Sequence, residues 1–522
     1  MKNYKKIITL CLSLLLLVVL ISACTTDTAE TPKPPAGEDV EKAVESTGET
    51  KYKEEVIVGV PSNPTTFDPH SSTAKAMRRA TANIYETLLQ FDVDTKEVNP
   101  RLAKSWEMPA DNEYIFYLRD DVKFHNGDLM TVDDVVYSLQ RCIDSPAANS
   151  FVMAIDKMEI IDEYTLKVIL EEPSPIFLNN LTQDTISIIP EGSGDTINEN
   201  PIGTGPFKFV EYAVDDYVLL ERTDSYWGEQ SPTQRIRIRI IPDHNSRNMA
   251  VEAGDIDISI QIFSVDYTNL KEAEDIVVHK EPSVQVEYLA MNTQEAPFDD
   301  VHARRAVAYA LNLNGVVEDI YADDVALAKS FVSSEVIGYD DSVKTYEYNI
   351  EKAKEELAKS KYPDGFEFKL YTTKSRARYT EALQYDLSVI GITMNVEFVQ
   401  NVASAITGGY QGGHITGITY DSFDIDGAYR YLHSDSIGAG GNLSWYSNPE
   451  MDDLLERTRT EMDSAKRAQI VSEIQEILYE DVPMVPIYAR ISTSGYVKGI
   501  QGYRPAPNEV DLLVNTYVEI QE

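Results

Sequence analysis

Three carboxylates, Asp421, Asp424 and Asp426, fall close together in the run Gly417–Asp426 (GITYDSFDID), with Tyr420 and Phe423 beside them. Carboxylates flanked by rings suit the capture of a cation more than turnover of a substrate. Their spacing is not that of a calcium loop, because the alternating oxygens and distal glutamate of an EF-hand are missing. The seven histidines are scattered. His414 and His433 flank the acidic run, but single histidines at that spacing do not make a zinc site. Gly-x-Ser-x-Gly, His-Glu-x-x-His, Cys-x-x-Cys and Walker patterns are all absent from the sequence. Gly203 and Gly205, in PIGTGPF, suit tight turns and close backbone approach; no Gly-Lys-Ser/Thr follows to make a phosphate loop. The chemistry expected is binding, with no catalytic residue, metal or cofactor.

A chain of 522 residues is too long for one ordinary core, so two or three lobes must position that run. The formal net charge of −40 argues against nucleic acid, whose phosphates need clustered Lys and Arg. Such acidity serves solubility in an exposed compartment; a preference for cationic ligands is the sharper alternative. The first residues are an address. Lys2, Lys5 and Lys6 precede an apolar run, Ile7–Ile21, too short to span a bilayer comfortably. Ile21-Ser22-Ala23-Cys24 then matches a bacterial lipobox, with Cys24 as the lipid attachment point. Thr25–Thr50 is rich in Thr, Glu, Pro and Gly and reads as a disordered tether. No other segment is long and apolar enough to cross a membrane. After cleavage removes Cys11 with the leader, and with Cys24 lipidated, Cys142 has no disulfide partner and is expected to be buried.

The elements follow from periodicity. Glu54–Val60 is the first strand of the body. The run ending at Leu89, with Ala80, Ile84, Tyr85 and Leu88, predicts a helix. Thr131 caps a helix through Arg141, with Asp134 at the third helical position. Arg235–Ile241 alternates strictly and predicts a strand with one basic face, either docking a partner protein or solvated and paired with carboxylates. Val286–Met291 is apolar and β-branched, then Asp299 or Asp300 caps a helix. The chain is therefore read as crossing between lobes here and returning through Val485–Arg490. Helices are predicted over Asn349–Ser360, Tyr379–Ile390, from Pro449 with Asn448 as cap, and over Asp463–Glu480.

Several segments resemble the extracellular solute-binding proteins of family 5, the oligopeptide, dipeptide and nickel receptors of ABC transporters. They are TFDPH (Thr66–His70), NIYETL (Asn83–Leu88), PRLAKSWE (Pro100–Glu107) and VKFHNGDLMTVDDVVYSLQR (Val122–Arg141). PIGTGPFKFVEY (Pro201–Tyr212), YWG (Tyr226–Gly228), IPD with AGDIDI (Ile241–Ile258), MNTQEAPFDDVHARRAVAYAL (Met291–Leu311) and YSNPEMDDLL (Tyr446–Leu455) complete them. Their order along the chain is the family's.

The resemblance implies an α/β, two-lobed type II periplasmic binding protein fold with a hinge and an extra subdomain in the first lobe. The expected organisation is a signal peptide over 1–23, a tether over 24–53, and first-lobe segments over 54–98 and 190–291. The extra subdomain occupies 99–189, the second lobe 292–486, and the return 487–522. The resemblance also implies a ligand site. A glycine four residues before an aspartate matches Gly417 and Asp421, where a peptide's α-ammonium would be met; Thr419 and Tyr420 lie between them. The loop bordering the ligand maps to Ala74, Lys75 and Ala76, and an aromatic over the ligand to Phe151. Two departures are plain: Ile418 stands where the peptide binders have Trp, and Ile425 where a Pro follows the acid. The implied protein is a monomer anchored at the extracytoplasmic face of the cell membrane. It captures oligopeptides or dipeptides for ABC transporter permease subunits. The alternatives are a nickel chelate, haem or sugar receptor, or an adhesion or signalling lipoprotein.

Overall fold

The computed structural model describes residues 51–520, apart from 263–269, 271–272, 322–323 and 439–440. The leader, Cys24 and the tether as far as Thr50 lie outside the described residues; the tether's expected last residues are instead structured, Lys51–Tyr52 pairing as a strand with Tyr517–Ile520 and Lys53 bonding Asp257. One mixed sheet of 11 strands forms the backbone of the body. Its main path runs Thr393–Phe398, Glu367–Thr372, Gly413–Thr419, Ile276–Met291, Met484–Val497, Ile258–Ile260, Glu55–Val60, Arg235–Ile240, Tyr217–Arg222 and Phe207–Ala213.

Two long antiparallel strands at its centre connect the halves. The first crossing strand, Ile276–Met291, pairs along most of its length with the second, Met484–Val497. Residues 276–282 lie opposite 491–497, whose other edge carries Ile258–Ile260. Residues 285–291 also take Gly413–Thr419 as a neighbour. The register shifts between Pro282 and Val286, which is where the chain changes partners. An irregularity of this kind frees backbone groups. Here Val284 donates its N–H to the Pro507 carbonyl and accepts from the Tyr420 N–H. The crossing is thus longer than Val286–Met291, and its bulge contacts chain from both halves.

The cores explain the two halves. Val56, Val58, Val218, Leu220, Ile236 and Ile238 close one core against Ile84, Tyr85 and Phe207. Beyond the crossing, the sheet is buried on both faces, as an apolar run without alternation requires. Leu289 and Met291 pack into one cluster, with Leu370, Leu383 and Ile415; Val286, Tyr288 and Ala290 pack into another, with Ile418, Leu454 and Ile474. A four-stranded antiparallel sheet, Ala103–Ala110, Glu113–Leu118, Thr165–Leu170 and Ile155–Asp162, gathers a separate core that includes Leu139 and buried Cys142.

Local chemistry sets most helix starts. Thr131 and Asp134 form a reciprocal capping box for Val132–Ile143. Asp300 caps Val301–Ala310, Asn349 caps Ile350–Lys359, Asn448 caps Pro449–Thr458 and Asp463 caps Ser464–Asp481. One helix is shorter than its periodicity predicts. It spans Lys75–Thr81 and does not continue to Leu89. The carbonyls of Asn83 and Ile84 instead accept from Phe207 and Gly205, and the Asn83 side chain bonds Asp511 and Leu513. A Cβ on Gly203 would lie 2.0 Å from the Ile84 carbonyl oxygen, so the glycine lets the two segments touch. Tertiary contacts outcompeted the local helix.

Candidate functional site

The acidic run divides between two roles. Gly413–Thr419 is a strand, so Gly417 and Thr419 share one face while Ile418 and Tyr420 point into the core. Gly417 faces Glu287 across the ladder and Thr419 faces Gln285. A Cβ on Gly417 would sit 2.0 Å from Gln285 Nε2, which is why the position carries no side chain. Tyr420, expected beside the ligand, is instead buried, edge-on to Phe331 and Tyr431. Strand alternation turns it inward.

Asp421 follows the strand and reaches the other half. Its Oδ1 accepts from Arg78 Nη1 at 3.0 Å. Arg78 also donates to both oxygens of Asp184, at 2.7 and 2.9 Å. Burial would make this guanidinium easier to deprotonate; Asp184 and Asp421 outweigh it and push its pKa up. Two further contacts cross at the same place. Asn179 donates its side-chain amide to the Ser422 carbonyl, and Phe423 stacks on Phe91 with centroids 4.8 Å apart. Asp424 and Asp426 do not cross. Asp424 holds Arg467 through two bonds of 2.6 and 2.9 Å, and Asp426 pairs with Arg459 at 2.9 Å.

Lys75 opens the helix Lys75–Thr81. Its ammonium is 3.5 Å from Glu509. Burial lowers its pKa, while Glu509 and Asp421 oppose that shift, so Lys75 and Asp421 are within electrostatic reach. Ala74 is exposed just before the helix, and Ala76 is half-buried in its first turn. Burial would raise the Glu509 carboxyl, yet Lys75, Arg490 and Arg79 bring it down to about 2. Arg490, on the second crossing strand, donates to Gln285 Oε1 at 3.2 Å. Glu287, beside it on the first crossing strand, takes a two-bond pair from Arg376 at 2.8 and 2.9 Å. Lys75, Thr419, Asp421 and Arg490 therefore gather around the crossing. Gly417 also lines a cavity of about 200 Å³ with Thr407, Arg430, Tyr431 and Ser444.

Phe151 does not join this group. It lies in the short helix Asn149–Val152, packs on the subdomain core, and lines a different cavity with Tyr429 and Arg459. His414 is fully enclosed and bonded to Tyr410, with burial lowering its pKa to about 3, so it is a core residue. Arg78, Arg430, Arg490 and Glu509 escaped the sequence reading. Adjacent Arg78 and Arg79 were visible, but the acids that fix them, Asp184, Asp421 and Glu509, stand 106, 343 and 430 positions away.

A family profile described as bacterial extracellular solute-binding proteins, family 5 Middle, matches residues 97–439. The chain belongs to this family. The family consists of extracytoplasmic solute-binding proteins, and its two-lobed α/β fold is the one described above. The chain is 28% identical to a protein named Heme-binding protein A from Haemophilus influenzae, over 84% of this chain and 87% of that one. It is 28% identical to Di/tripeptide-binding protein 2 from Pseudomonas aeruginosa, over 85% and 91%. Among solved structures, the periplasmic binding protein DppA from Helicobacter pylori, in complex with peptide STSA, superposes with a TM-score of 0.78. That match has 28% identity and covers 90% of this chain and 99% of that one.

Proposed function

We propose that this protein is a lipid-anchored, extracytoplasmic receptor that takes short peptides between its lobes and delivers them to an ABC transporter permease. The carrying observation is the group at the crossing. Asp421 from one lobe and Lys75 and Arg78 from the other meet beside two strands that act as the hinge. A ligand that fits there contacts both lobes at once, so it favours the closed form by differential contact. Asp421 uses one oxygen for Arg78, and its other oxygen is the acceptor for a peptide's α-ammonium. Thr419 and the chain around Ala74–Ala76 offer backbone groups to the peptide, and waters fill out side-chain pockets. Cys24 carries the lipid, and the tether holds the body off the membrane. The relative named Di/tripeptide-binding protein 2 and the DppA structure with peptide STSA support the peptide reading.

The relative named Heme-binding protein A favours a second reading, in which the same cleft takes a non-peptide solute. Native mass spectrometry of the chain beginning after Cys24, before and after mild unfolding, separates the two. A ladder of peptide masses is expected. A single defined non-peptide mass overturns the peptide reading.

A further inference from the structure

Arg430 is a second-lobe cation with no ion pair among the described residues. It is exposed, in the short helix Ala428–Leu432, and lines the cavity that Gly417 opens. Among the described residues no carboxylate lies within ion-pair distance of its guanidinium. This is a chain with 86 acidic residues against 46 Lys and Arg. Its neighbours Arg459 and Arg467 are paired, with Asp426 and Asp424.

Arg430 is nevertheless held in place. Gly441 has φ +123°, a conformation that side chains rarely adopt, and a Cβ there would lie 2.7 Å from Arg430 Cγ and 2.9 Å from its Nε. The glycine lets the backbone lie flat against the arginine. On another side the guanidinium carbon sits 5.9 Å from the Tyr431 ring centroid. Burial raises the Tyr431 hydroxyl pKa, Arg430 lowers it and Asp421 raises it, so the tyrosine feels both charges. Asp421 is already bonded to Arg78, whereas Arg430 has no ion pair among the described residues.

We propose that Arg430 determines specificity by receiving an acidic group of the ligand, so that the receptor prefers peptides with a carboxylate side chain. The inference rests on the peptide reading above and narrows it. Cations also gather nearby at the crossing, where Lys75, Arg79 and Arg490 surround Glu509. The overall charge of −40 does not forbid an acidic ligand, because exposed charges beyond about 8 Å are largely screened at physiological salt. The nearest cations decide. A cavity of about 200 Å³ is smaller than the roughly 300–1,000 Å³ that enclose a drug-sized ligand, and suits one side chain.

The test is calorimetry with alanine tripeptides carrying Glu, Gln or Lys at each position in turn, on the wild type, Arg430→Gln and Arg430→Lys. At one position Glu is expected to bind about tenfold tighter than Gln, the scale of one charge-assisted bond. Lys at that position should bind weakest. Arg430→Gln should abolish the preference while leaving the neutral peptide within about twofold, and Arg430→Lys should keep it. Melting curves check that both variants fold. Equal binding of Glu and Gln peptides at every position, or a preference that survives Arg430→Gln, overturns the proposal while the peptide receptor stands. Failure of every tripeptide to bind, with a non-peptide native adduct, removes both.

Discussion

Asp421 and Asp424 are three residues apart, chemically identical, and bound to arginines of opposite kinds. Arg467 belongs to the same lobe as Asp424, and both side chains are almost wholly buried. Arg78 comes from the other lobe, and Asp421 keeps 29% of its side chain exposed. The Asp424 pair lies within one lobe, whereas the Asp421 pair joins two; under the proposed closure the first persists throughout and the second forms only when the lobes meet. A buried pair inside one lobe is architecture, whereas a half-exposed pair across the cleft can respond to a ligand.

The largest effect should therefore come from the architectural pair. Asp424→Ala leaves Arg467 buried without its bonded carboxylate, at a cost of about 3–5 kcal/mol. Denaturant unfolding measures it, and a loss under about 1 kcal/mol would erase the distinction between the two aspartates. Asp421→Ala should barely change stability, because Arg78 retains Asp184. Its effect should fall on binding. Peptides with a free N-terminus should lose about 1.5–3 kcal/mol, or about ten- to hundredfold in Kd, and N-acetylated ones should lose nothing. Equal loss for both peptide types would remove Asp421 from the ammonium role.

Acid sharpens the contrast, because cleft and lobe carboxylates titrate with opposite signs. Glu509 has a folded pKa of about 2, below its ordinary 4.5, so the folded state holds fewer protons in that interval. Its contribution to stability is complete above pH 4.5 and fades as pH falls towards 2. Asp426 is raised above 3.8, chiefly by burial and against the pull of Arg459. Here the folded state holds more protons than the unfolded one, so its term weakens as pH rises through the window just above 3.8. Melting curves against pH should show wild type and Glu509→Gln converging as pH falls from 4.5 to about 2. A constant gap would mean that Glu509 is not ionised in the fold.

Much of the fold was legible because it depends on local signals. Caps such as Asn448, Asp463 and the Thr131–Asp134 box need only neighbours within one turn. The run Val286–Met291 announced a buried strand. What failed depended on distant partners. The helix after Lys75 had the right period, but the carbonyls of Asn83 and Ile84 were claimed by the chain near Gly205. Tyr420 sat beside Asp421, yet the strand turned it inward. The acidic run looked like one cluster because the sequence lists carboxylates in order, and it says nothing about which arginine reaches each of them.

The smallest effect concerns a third class of charge, the arginine row on Arg235–Ile240. The strand alternates, so Ile236, Ile238 and Ile240 enter the core while Arg235 and Arg237 stay outside. Parallel pairing with Glu55–Val60 brings acids to them. Arg237 bonds Glu55 at 2.7 Å and lies over the Tyr217 ring at 4.1 Å, and Arg235 is 3.3 Å from Glu54. Two of the row's three arginines are thus neutralised, while Arg239 has no ion pair among the described residues; the paired two offer little to a permease, which favours the solvated, paired reading for them. Exposed pairs of this kind are worth about 0.2–1 kcal/mol, and less in salt. Arg235→Gln with Arg237→Gln should cost no more than that in unfolding experiments, and should leave peptide uptake unchanged. Loss of uptake with intact peptide binding would instead make this strand the docking face, and would place a functional charge outside the cleft altogether.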